Sequence, residues 1–192
     1  MVREEFLARW DAFNDPELAM LLTWPTSGAP TEIPSRPPYT REKREAAWEI
    51  ISRSSSIAAF DVRKADDQRF IGEAGLNHIT WPSASADIAV AILDPKDRGS
   101  GCGSEVAMLL AAYAFDALGL HRVTLRYLAM NDAVVRGVER DGEAVGARIV
   151  GVERQSEWAF GGWQDTVLVE ILASDFPPHP ATTHLRAAHD ST

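Results

Sequence analysis

The chain has 192 residues, 45% apolar and 24% charged, enough for one domain with its own core. A formal net charge of −9, from 19 basic and 28 acidic residues, argues against a nucleic-acid binder and suits cationic partners such as amines. No apolar run reaches the ~18 residues of a membrane span, and "MVREEFLARW" lacks the apolar centre of a signal peptide. A single cysteine, Cys102, excludes an internal disulfide and a cysteine-rich metal cage. A cytoplasmic protein without a metal, a membrane or a nucleic-acid partner is expected.

Phe6, Leu7, Trp10 and Phe13 fall at helical spacing. Asp15 and Pro16 then read as the cap and first position of a short helix through Leu22. Residues 24–39 form a proline-rich loop long enough to act as a lid over an acceptor. Thr40 caps a helix to about Arg53, with Ala46, Ala47, Ile50 and Ile51 inward.

Strands follow at 56–62 and 69–79, the second with glycines that imply a bulge or a close backbone approach. The run at 86–93 is almost wholly apolar and reads as a central strand covered on both faces. After the stretch "DPKDRGSGCGSEV" comes a helix with Val106, Leu109, Leu110, Tyr113, Ala114 and Ala117 on one face, ended by Gly119. A strand at 121–128, a helix at 131–142 and a hairpin of 147–157 with 163–172 complete the pattern. The order α-α-β-β-β-α-β-α-β-β predicts an α/β (α+β) fold, a mixed sheet of about six strands with helices packed on it. Residues 1–176 read as one domain and 177–192 as a polar, flexible tail.

Gly99, Gly101 and Gly103 lie between a strand and a helix. Such a joint gathers unpaired N–H groups at the positive end of the helix dipole, and glycines let the backbone approach a phosphate closely. No lysine follows them as a Walker loop requires, and position 104 is serine where a dinucleotide fingerprint needs glycine. A nucleotide-binding reading therefore rests on the glycines alone. What remains is Arg98-x-x-Gly101-x-Gly103 directly after a strand.

That motif resembles the acyl-CoA pyrophosphate loop of the GNAT (GCN5-related) N-acetyltransferases. The segments "RWDAFNDPE", "IGEAGL", "DPKDRGSGCGSEVAMLLAAYAFDALGLHRVTL", "AMND" and "WQDTVLVEIL" extend the likeness over residues 6–173, toward the ribosomal-protein alanine acetyltransferase (RimJ/RimL-like) branch. The resemblance implies a mostly antiparallel sheet, with acetyl-CoA as co-substrate and no metal. It implies that the strand before the loop parts from its neighbour, so that Ala91, Ile92 and Leu93 pair with the pantetheine arm. The amides of Gly99, Ser100, Gly101, Cys102, Gly103 and Ser104 would hold the pyrophosphate, with Arg98 beside it. Asn131 matches the family asparagine that contacts the CoA arm, and it also reads as a plain N-cap.

The implied reaction is attack of a primary amine, on a protein N-terminus or a small molecule, on the thioester. Asp87, fourteen residues before Gly101, is the first candidate for the base. Glu73 is the second and His78 the third. The tyrosine that usually protonates the leaving thiolate falls at Val138, seven residues after Asn131, and Glu143 replaces the aromatic that usually follows. Tyr127 or a water then stands in, or the thiolate leaves unaided. The alternative is a CoA-binding sensor or accessory protein with weak or no transfer. Only about five residues precede the first helix, so the family's first strand is missing and the exposed sheet edge calls for cover, as in a homodimer. Cys102 reads as a side chain under the loop. Trp81, Trp158 and Trp163 read as hydrophobic covers or as the lining of an acceptor pocket.

Overall fold

The computed structural model describes residues 1–16, 18, 39–159 and 162–185. All of the expected lid at 24–39 but Tyr39, and most of the short helix through Leu22, lie outside the described residues, as does part of the 157–163 turn. Helix α1 (Arg3–Ala8) is followed by a 3₁₀ turn (Trp10–Asn14), α2 (Arg41–Arg53), β1 (Ala58–Arg63), β2 (Phe70–Thr80) and β3 (Ser85–Ile92). Then come α3 (Cys102–Asp116), β4 (Arg122–Leu128), α4 (Asp132–Asp141), β5 (Ala147–Ala159) and β6 (Gly162–Leu172). The expected single helix over Phe6–Phe13 is broken at Arg9 (φ −98°, ψ 15°), whose side chain turns to bond Asp61 and Glu5.

The six strands form one sheet in the order β1-β2-β3-β4-β6-β5. Only β3 and β4 run parallel, as the crossover through α3 requires; the other neighbours are antiparallel. No strand precedes α1 among the described residues, so β1 lies at one edge and β5 at the other.

One face of the sheet carries Phe60, Ala74, Leu76 and Ile88, packed with Leu110, Ala111, Ala114 and Phe115 of α3. On the same face Val134, Val135 and Val138 of α4 pack on Tyr127, Val167 and Val169. The opposite face takes α1 and α2, through Arg9 to Asp61 and Arg44 to Glu73. Along the strand at 86–93 the α3 side is the more covered among the described residues: Ala86 and Ile88 are buried and Ala89 is exposed. Two helical faces are also rotated from expectation. In α2, Ile50 is 63% exposed and Arg44 is buried, because Arg44 stacks 3.3 Å over the Phe6 ring and donates Nε to the Phe6 carbonyl at 2.8 Å. In α3, Leu109 points outward while Ala111, Ala112 and Phe115 are buried.

Other local expectations match. Thr40 caps α2, its side chain accepting from Lys43 N at 3.3 Å. The strand glycines reflect close backbone approach: a Cβ on Gly75 would lie 2.5 Å from the Ala58 carbonyl oxygen. Helix α4 ends at Gly142, but Gly142 has helical φ (−60°) and the left-handed residue is Gly146 (φ 71°). Within the stretch expected to be a loose tail, Thr182 is buried and donates Oγ1 to Asp116 at 2.6 Å.

Candidate functional site

The parallel ladder between β3 and β4 runs from Ser85–Arg122 to Ile88–Leu125 and stops, although both strands continue. The two strands therefore form a fork that opens toward the glycine loop. Backbone groups along β3 alternate between its two neighbours. Leu93 N donates to Ile71 O on β2 at 2.8 Å, so the groups of Leu93, Ala91 and Ala89 face β2. Those of Val90 and Ile92 face the gap. Of the residues expected along the arm, Ile92 is at the open edge, while Ala91 and Leu93 bond toward β2. Val90, which was not among the residues expected along the arm, shares that edge, as strand alternation implies.

The loop beyond the fork is shaped by two left-handed glycines, Gly99 (φ 71°) and Gly101 (φ 92°), with nothing within 4 Å of a Cβ on either. Gly103 lies inside the helix with ordinary φ, so freedom is required at the first two only. Gly101 is the N-cap of α3 and has no side chain to cap it; the first closed turn is Glu105 N to Gly101 O at 3.1 Å. The amides of Cys102, Gly103 and Ser104 therefore precede the ladder, an arrangement with the donors that an anion would need. Ser100 Oγ donates to Asp97 O at 2.6 Å and lies 3.1 Å from Cys102 Sγ.

Arg98 and Lys64 approach the loop from different parts of the chain. Arg98 folds back along the strand: Nε donates to Ile92 O at 3.1 Å, Nη2 to Leu93 O at 3.0 Å, and Nη1 to Asp15 at 2.7 Å. Its fork thus pins β3 to the loop and to the N-terminal segment. Lys64, on the turn after β1, instead reaches the loop, with Nζ 3.5 Å from Asp97 and 3.6 Å from Cys102 Sγ. Burial raises the Asp97 carboxyl, but Arg69 and Lys64 outweigh it and hold the group below its usual range. Lys64 lies 38 residues from Cys102, so no local pattern signals it. A groove of about 580 Å³ between β1 and α3, lined by Phe60, Val62, Val106 and Tyr113, reaches Cys102 from the same side.

Asn131 is buried and opens α4 without a side-chain capping bond, which removes the plain N-cap reading. Val138 packs on the cluster of Tyr127, whose hydroxyl is buried with no hydrogen-bond partner among the described residues. Burial, then the nearby Glu139, raises the Tyr127 pKa. The tryptophans divide: Trp158 and Trp163 pack edge to face across the hairpin at 5.3 Å, and Trp81 is 56% exposed.

The candidate bases sit on the α1/α2 face. Glu73 is bound by Arg44 and lies 3.9 Å from Arg9. Its pKa is raised, because burial outweighs both arginines. Asp87 lies at the closed end of the fork, one residue before the last parallel pair. One of its carboxylate oxygens accepts from Thr124 of β4, and the other meets His78 Nδ1 at 2.9 Å. Among the described residues no group of acidic, histidine or cysteine side chains could hold a metal ion. None of their helices is long and apolar enough to cross a membrane.

Residues 3–142 match the model of the acetyltransferase (GNAT) domain family. A protein of Bacillus subtilis strain 168 described as the probable N-acetyltransferase YjcK is 28% identical over 116 residues, 60% of this chain and 62% of that protein. The chain thus spans less than two thirds of that relative's length. Among solved structures, the spermidine N-acetyltransferase of Vibrio cholerae in complex with CoA and spermine superposes with a TM-score of 0.73 at 20% identity, over 91% of this chain and 94% of that one. A point mutant of the spermidine N-acetyltransferase SpeG from the same organism gives 0.71 at 21% identity, over 91% and 93%. At such identities the likeness shows the shared fold.

Proposed function

The chain belongs to the acetyltransferase (GNAT) domain family, and on that premise we propose that it transfers an acetyl group from acetyl-CoA to the primary amine of a small molecule. The observation that carries this reading is the fork between β3 and β4, open beside an uncapped helix start. The open edge at Val90 and the Ile92 amide, beside the Ile92 carbonyl that Arg98 holds, takes the pantetheine arm as an added strand. The amides of Cys102, Gly103 and Ser104, with Lys64 alongside, take the pyrophosphate. Asn131 holds the arm from α4, and a β3 amide meets the oxyanion of the tetrahedral intermediate.

A small cationic acceptor fits the net charge of −9 and the Asp87 carboxylate. The solved relatives are described as acting on spermidine, and one holds spermine. These relatives lend no support to the ribosomal-protein branch, so a polyamine-like acceptor is preferred to a protein N-terminus. Thermal unfolding with excess acetyl-CoA tests the pocket. At a hundred times its dissociation constant the ligand adds about 2.7 kcal/mol, a shift on the order of 5–10 °C for this size. NAD and ATP give none. Thiol release with spermidine, a simple alkylamine or an alanine-terminal peptide then ranks the acceptors. No shift with acetyl-CoA overturns the reading.

A second reading, a CoA-binding protein with little turnover, is favoured by Val138 at the usual tyrosine position and by its packing on Tyr127. Val138→Tyr separates the two. A large gain in transfer means the chain lacks only its acid; an unchanged rate means the sulfur leaves by another route.

A further inference from the structure

Resting on the acetyltransferase reading, we propose that His78 is the general base for the acceptor amine, held in place by Asp87, which Thr124 of β4 holds in turn. The placement is not a consequence of plain strand alternation. Asn77 pairs with Asp87 and so shares its face; His78, one residue on, would point to the α3 side. The register then breaks: Thr80 pairs with Ser85, so two residues of β2 stand against one of β3. Within this bulge His78 takes left-handed φ (51°), an uncommon conformation for a side chain with a Cβ. The bulge and the positive φ together turn the ring back over Asp87, bringing Nδ1 to 2.9 Å from its carboxylate. Strain of this kind clusters where a side chain must be aimed.

The chemistry follows from the two ends of the ring. An ionised carboxylate only accepts, so Nδ1 carries the proton and Nε2 presents a lone pair. The His78 side chain is 81% exposed, so Nε2 is open to an incoming ligand, whereas Asp87 is half covered and its oxygens are occupied by His78 and Thr124. Asp87 is the ionisable side chain placed in contact with the ring; Thr124 carries no charge. The site lies at the closed end of the fork, on the face away from α3. Nε2 takes a proton from the acceptor's ammonium and passes it to solvent. The freed lone pair forms the C–N bond at the thioester carbonyl, and the C–S bond breaks with its electron pair on sulfur. The second proton lost by nitrogen neutralises the thiolate, giving amide and thiol. Thr124 also ties Asp87 to β4 where the strands part, so the base is indexed to the fork itself.

The test uses His78→Gly, since glycine adopts the positive φ without cost and keeps the bulge. The expected result is a fall in kcat of about a hundredfold or more, with the acetyl-CoA thermal shift unchanged and partial recovery on adding imidazole. A rise of kcat/KM with pH is expected of the wild type and should be lost with the imidazole. For the positioning residues, Thr124→Ser keeps the wild-type pH profile and Thr124→Val displaces it, with the KM for acetyl-CoA constant. If wild type transfers acetyl to a small amine and His78→Gly does so equally well across the pH range, this assignment is overturned while the acetyltransferase reading stands. If wild type binds acetyl-CoA but acetylates none of the acceptors, both fall.

Discussion

Gly72 on β2 lies so close to Ala91 on β3 that a Cβ built on it would sit 2.3 Å from the Ala91 carbonyl oxygen. The contact is between backbones, so no side chain can rotate away. It presses β2 against the half of β3 that has left β4. Gly72→Ala is expected to cost about 1–3 kcal/mol and to displace the free edge at Val90 and Ile92. Denaturant unfolding and acetyl-CoA thermal shift check it together; an unchanged shift with reduced stability would mean the edge does not depend on this contact.

Gly101, at φ 92° with open space where a Cβ would lie, needs its glycine for conformation and not for room. Gly101→Ala should cost about 1–2 kcal/mol of backbone strain. Because the same residue starts α3, the loss of acetyl-CoA affinity should exceed that of Gly103→Ala, where φ is ordinary. Titration of the two variants side by side decides the matter.

Arg44 and Glu73 form a buried pair beneath α1, with Arg44 also stacked on Phe6. Arg44→Met strands the carboxylate and should cost about 3 kcal/mol or more; adding Glu73→Leu should recover most of it. The pH dependence has a definite sign. Burial raises the folded pKa of Glu73 above its ordinary value, so the folded chain holds its proton more readily than the unfolded one. The stability from this group is present at low pH and lost as pH rises through the folded pKa. Without Arg44 that slope steepens, so the penalty should be largest at neutral and alkaline pH. Unfolding curves of the wild type and Arg44→Met from acid to neutral pH measure it.

The hydroxyl of Tyr127 is buried without a partner among the described residues. Tyr127→Phe removes an unsatisfied group and leaves the packing on Val138 and Val167, so it should raise stability by about 1 kcal/mol. A loss of stability would show that the hydroxyl has a partner in solution. The same variant tests whether this hydroxyl protonates the departing sulfur, in which case kcat drops while acetyl-CoA still binds.

The fold was legible because its signals are local. Periodicity located α3 and α4, Thr40 marked the start of α2, and turn residues separated β1, β2 and β3. Gly99 and Gly101 announced the loop because a left-handed turn leaves few residue choices. The side chains around the loop were less legible. Arg98, adjacent in sequence, braces the strand, whereas Lys64 comes to the loop from β1. Which cation arrives depends on how β1 and β2 are set beside α3, and a linear pattern does not encode that. Helix faces were misjudged where one polar group changed the balance. Arg44 is inward because carbonyl, carboxylate and aromatic partners converge on it, which hydropathy alone would place in water.

The sequence by itself determined the element order, the glycine joint and membership of its family, since each rests on residues near one another in the chain or on their order. Only the tertiary structure decided where β3 leaves β4, which backbone groups the gap exposes, and that a bulge turns His78 onto Asp87. These depend on strand register, and a shift of one residue sends every side chain to the other face. Register is set by packing across the whole sheet, so the candidate site came into view only when the strands were side by side.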